Sequence, residues 1–166
     1  MLKKRNIAAA VILSFLISIL FTGCGKKEID NVSLEGSCHN ILSQLYATAD
    51  VDDTVREALE NYVAMEIPDE NQEYLLGTTE IEFTDSVASV PMVNVDPYQC
   101  VLLRVKDPDK VDEAKQLLSD NADPRKWVCV EAESVIIENV GDVILYIMAE
   151  QKTAEAVRNA FLALQQ

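Results

Sequence analysis

Apolar positions recur at helical spacing in four stretches of this chain and at strand spacing in four others. From Ser37 to Ala49, Ile41, Leu42, Leu45 and Tyr46 fall on one helical face. A second face follows Asp52 or Asp53, either of which can cap it, and carries Val55, Ala58, Leu59, Tyr62 and Val63. Pro68 and the polar run Asp69–Asn71 end that pattern. Thr79 to Val90 is rich in β-branched residues, and its alternation shifts at Asp85-Ser86, which predicts a bulged strand. Pro91 and Pro97 bracket a bend. Tyr98 to Lys106 is apolar on both alternating sets, the mark of a strand buried on both faces. Asp107-Pro108 opens a third helix, with Val111, Ala114, Leu117 and Leu118 inward. Residues 121–133 show no period; Pro124 interrupts them, and Trp127 is expected to anchor them to the core. Val135–Val140 and Val143–Ala149 form a hairpin around Gly141-Asp142. Thr153 is expected to cap a last helix carrying Ala156, Val157, Ala160, Phe161 and Leu164.

The resulting order is ααββαββα. It predicts an α+β domain, a mostly antiparallel four-stranded sheet with helices packed on one face. No internal repeat is visible.

The first 23 residues carry a different pattern. Lys3, Lys4 and Arg5 precede an almost wholly apolar run, Ile7 to Phe21, and Thr22, Gly23 and Cys24 close it. A positive start, an apolar middle and small residues before a cut are the three parts of an export signal. Fifteen helical residues reach only about 22 Å, short of the ~30 Å hydrocarbon core, so a permanent span is strained.

Phe21-Thr22-Gly23-Cys24 resembles the bacterial lipobox. The resemblance implies cleavage between Gly23 and Cys24 and a diacylglyceryl thioether on Cys24, whose two acyl chains hold where one would be marginal. An uncleaved signal anchor with an inert Cys24 is the competing reading. On the lipobox reading residues 1–23 are a lipoprotein signal peptide, 24–36 a lipid-anchored tether and 37–166 a single α+β domain. Localisation is then the extracytoplasmic face of the cell membrane.

Charge sharpens this picture. The chain has 14 Lys+Arg against 28 Asp+Glu, a formal charge of −14. Loss of Lys3, Lys4 and Arg5 with the signal would take it to −17. Such a surface offers no basic footprint for nucleic acid. It is repelled by anionic headgroups and stands off them, apart from Lys26 and Lys27 beside the anchor.

From about Leu34 to Leu164 the pattern resembles the small Gram-positive lipoprotein domain known as domain of unknown function 4358. The likeness lies in the lipobox, the Leu76-Gly77 turn before the first strand, and the strand-to-helix run Tyr98–Leu118. It continues in the Val/Ile-rich hairpin Val135–Met148 and the closing helix. The resemblance implies an exported, anchored domain and brings no catalytic residues with it.

Candidate chemistry is sparse. His39 is the only imidazole, and no G-x-S-x-G accompanies it, so it reads as a surface histidine near a helix start. Cys38, Cys100 and Cys129 remain once Cys24 is lipidated. They allow a Cys100–Cys129 disulfide, worth roughly 3 kcal/mol in the chain-entropy model, or three buried thiols acting as small hydrophobes. The second is preferred. No C-x-x-C or H-x-x-x-H spacing supports a metal site, and no phosphate-cradling glycine motif points to a cofactor. Asp50, Asp52 and Asp53 begin like a calcium loop, but Val55 and Asn61 stand where Gly and Glu are required. Glu80, Glu82 and Asp85, with Glu131, Glu133 and Glu138, would make one sheet face acidic if their strands were neighbours.

Two functions compete. The first is a non-catalytic binding or adaptor domain of the cell envelope, held to the membrane through Cys24 and offering its acidic surface to a basic protein or to cations. The second is a carboxylate-based hydrolase of envelope polysaccharide, which needs two carboxyls in one cleft. A two-lobed solute receptor would need a longer chain.

Overall fold

The computed structural model describes residues 33–165. The expected export segment, residues 1–23, and Cys24, Lys26 and Lys27 lie outside the described residues. In chain order the elements are α1 (Cys38–Thr48), α2 (Asp53–Asn61), β1 (Val63–Met65), α3 (Gln72–Leu76) and β2 (Phe83–Val90). There follow β3 (Gln99–Val105), α4 (Val111–Asn121), β4 (Ser134–Val140), β5 (Val143–Ala149) and α5 (Gln151–Ala163). Single 3-10 turns at Asp69–Asn71 and Pro108–Lys110 lead into α3 and α4.

The fold is α+β, built on an antiparallel sheet ordered β1-β2-β3-β5-β4. The sheet has five strands rather than four. The added strand, β1, is three residues long and pairs only with β2, too short to leave a periodic signal. Val63, expected on a helix, is the first residue of this edge strand.

The helices cover both faces, not one. On one side α1 and α5 pack on Val87, Cys100, Leu102, Val143, Leu145 and Ile147. On the other, α3, α4 and Trp127 pack on Ala88, Val101, Leu103, Ile144, Tyr146 and Met148. The physical reason is in the strands. Every residue of β5, and all but Arg104 of β3, is buried, so each alternating set needs its own apolar cover.

Local chemistry explains the boundaries. The Ser37 hydroxyl accepts from the Asn40 amide and starts α1, and Asp52 accepts from Val55 and starts α2. Arg56 turns back from α2 to donate to the carbonyls of Tyr46 and Ala49, satisfying the exposed end of α1. Asp107 caps the Pro108 turn through the Asp109 amide. The β2–β3 register shifts between Phe83 and Asp85, next to the residues where the alternation breaks. Thr153 does not cap α5. The helix begins two residues earlier, at Gln151, and Thr153 lies buried inside it. The Gln151 amide is met instead by the Glu133 carboxylate, a long-range cap that no local pattern announces.

Candidate functional site

The residues singled out by sequence are scattered or occupied. His39 is exposed on α1. Cys38 beside it is buried, and burial together with the Asp85 carboxylate pushes its thiol up to about 12. Burial alone does the same to Cys100. Both are protonated, poorly nucleophilic thiols. Cys100 and Cys129 are free. Cys100 faces the α1–α5 core, whereas Cys129 is exposed in the loop that packs on the opposite face of the sheet. Thus two thiols are buried, not three. Among the described residues no cluster of His, Cys, Asp or Glu converges to hold a metal ion.

The two acidic sets do not meet. Strands β3 and β5 lie between β2 and β4, a gap of roughly 14 Å at ~4.8 Å per strand spacing. Most of these acids serve the fold. Asp85 accepts from the Cys38 amide, and Glu138 pairs with Arg158 at 2.6 Å. A cleft of about 430 Å³ between Glu80–Glu82, Lys106–Lys110 and α4 does gather carboxyls. There Glu82 pairs with Lys106 at 2.8 Å, and that lysine lowers its pKa. A glycosidase acid needs a shift in the other direction.

A different group stands out. The loop after α4 carries Lys126, which the sequence reading did not select. Its amine donates to the side-chain oxygen of Gln99 at 2.5 Å and to the carbonyl of Tyr74 at 2.9 Å. It also lies 4.4 Å from the centre of the Tyr74 ring and 5.6 Å from that of Trp127. Gln99 is fully buried at the start of β3, and its amide nitrogen donates to the Leu75 carbonyl. That second bond fixes which end of the amide faces Lys126. Removal from water lowers the Lys126 pKa to about 8, against a smaller opposing pull from Asp123.

The amine borders a pocket of about 200 Å³ lined also by Glu73, Tyr74, Leu75, Gly77, Asn121, Asp123, Tyr146 and Met148. Gly77 allows it to form. The residue ends α3 in the left-handed conformation (φ 75°), and a Cβ there would stand 2.4 Å from the Asn121 carbonyl oxygen. The ends of α3 and α4 therefore close on each other at this point.

The pocket occupies one end of the sheet, where β3 begins. The exposed Met92, Val93 and Val95 lie at the same end, in the β2–β3 connection, and the Val128 amide bonds the Asn94 carbonyl. At the other end of β3, Arg104 holds the start of the described chain. Its guanidinium donates to both oxygens of Asp142, to the Ser33 hydroxyl and to the carbonyls of Leu34 and Gly36. Five residue steps of β3 separate the two ends, about 17 Å.

No protein family, curated protein or solved structure matches this chain. Lys126 carried no sequence signal: its environment is assembled from α3, β3 and the aperiodic loop, which only folding brings together.

Proposed function

We propose that this protein is a membrane-anchored extracytoplasmic lipoprotein whose domain is a non-catalytic binding or adaptor module of the cell envelope. The observation that carries the reading is the opposition of the two ends of the sheet. Residues 33–36, the last of the expected tether, are clamped at one end by Arg104, and the Lys126 pocket with its apolar rim occupies the other. Nine residue steps from Cys24 to Ser33 reach at most about 32 Å. An anchor at Cys24 would bias the Arg104 end toward the bilayer and the pocket outward. The surplus of acids favours a basic envelope partner or cations around that surface. No helix among the described residues is long and apolar enough to cross a membrane.

Cys24→Ala should abolish lipid labelling and move the protein out of the membrane fraction. Unchanged membrane retention would overturn the anchor.

A further inference from the structure

We infer that the pocket beside Lys126 binds a small zwitterion, a free α-amino acid, with its carboxylate on the Lys126 ammonium and its own ammonium directed to Asp123. The inference rests on the reading of the domain as a binding module and names the ligand class of its pocket.

Four observations lead to it. First, an ammonium has three donors, and protein acceptors among the described residues use only two of those on Lys126, Gln99 and the Tyr74 carbonyl. The third is free to meet a ligand. Second, Asp123 lines the same pocket, and its charge is felt by both Lys126 and the Tyr146 hydroxyl. One of its oxygens accepts from the Arg125 amide; the other makes no hydrogen bond among the described residues. A cation, Lys126, and the carboxylates of Asp123 and Glu73 thus border one small space, and among the described residues Lys126 forms an ion pair with neither. Third, Leu75, Tyr146 and Met148 give the pocket apolar walls and Gly77 contributes no side chain, which suits a short side chain, while Glu73, Tyr74 and Asn121 complete the lining. About 200 Å³ admits a ligand of a few heavy atoms, not a peptide or a sugar chain. Fourth, a chain of net charge −14 repels simple anions from a lone lysine, and Lys126 would repel a simple cation from Asp123. A ligand carrying both charges meets neither penalty.

The test uses the full-length chain in detergent at neutral pH and a titration followed by NMR or calorimetry. The probes are glycine, L-alanine, L-serine and L-leucine, with N-acetyl-L-alanine and L-alaninamide as one-charge controls. At least one free amino acid should bind, and both controls should lose tenfold or more. Lys126→Met and the exposed Asp123→Asn should each lose tenfold or more against that amino acid; the second change leaves the core untouched, so its loss cannot be ascribed to unfolding. Binding of N-acetyl-L-alanine as tight as that of L-alanine would overturn the proposal in favour of a plain anion site. Equal binding of L-alaninamide would overturn it in favour of a cation site, and binding of none would overturn it outright. Each result is separable from the anchor reading, which stands or falls on the fractionation of Cys24→Ala.

Discussion

Lys126 shows how a single residue acquires unusual chemistry from its surroundings. An ordinary lysine amine holds its proton to about 10.5, and here burial brings the value to about 8. Between those values the unfolded chain binds a proton that the folded chain has released. Unfolding takes that proton up, so the contribution of this residue to stability rises with pH across the window. Below 8 both states are charged and the whole cost of burying the ammonium remains. Cys38 and Cys100, raised from 9.0 to about 12, act in the opposite sense. Their folded forms keep protons that the unfolded chain loses, so stability from them is full below 9 and declines as pH climbs toward 12. Only a difference measurement isolates the lysine. Urea unfolding of the wild type and of Lys126→Met at about pH 7 and about pH 10 should show the balance between them moving toward the wild type at the higher pH. A pH-independent difference would mean that the amine titrates as it does in water.

At the scale of elements, Gly77 is the joint between α3 and α4. Gly77→Ala combines left-handed strain with a Cβ 2.4 Å from a backbone oxygen that cannot rotate away. A loss of about 2–4 kcal/mol is expected. Gly36 also has positive φ, 86°, but its nearest neighbour would be 3.6 Å from an added Cβ. Gly36→Ala should therefore cost only about 1 kcal/mol, the backbone penalty alone. Denaturant melts of the two variants separate strain from collision; equal losses would remove the joint from the argument. The same comparison shows why elements differ in legibility. Strands β3 and β5, helices α1 and α4 and the Gly141 hairpin announce themselves because their periodicity runs for seven residues or more. The element order led to helices on one face only, although the apolar character of both alternating sets of Tyr98–Lys106 already called for cover on both. Short β1 and α3 were not legible, each spanning fewer than two periods of its pattern. Nor was the site. Lys126, Gln99, Tyr74 and Tyr146 are separated by up to 72 positions and meet through strand pairing and the α3–α4 closure, neither of which leaves a trace in local spacing.

On the scale of the whole molecule, the polarity of the sheet ties location to function. The Arg104–Asp142 pair is mostly shielded from water, with side-chain exposures of 17% and 19%, and its remaining donors are spent on the chain at residues 33–36. The domain thus leaves any tether from a defined end. Lipid attachment at Cys24 would give it an average orientation, with the acid-rich surface held off anionic headgroups. Thiols already in the chain allow a test, because Cys38 and Cys100 are buried and Cys129 is exposed at the far end. A dye on Cys129 should be quenched weakly by a quencher fixed in the headgroup layer of vesicles carrying the lipidated protein. In a Cys129→Ser background, a dye on Asp109→Cys, in the turn after β3 at the Arg104 end, should be quenched more strongly. The difference should shrink at high salt as repulsion from an anionic bilayer is screened, yet keep its sign, since attachment at one end biases the domain whatever the salt. Equal quenching at both positions would mean that the clamped end does not face the membrane, and the outward pocket would lose its rationale.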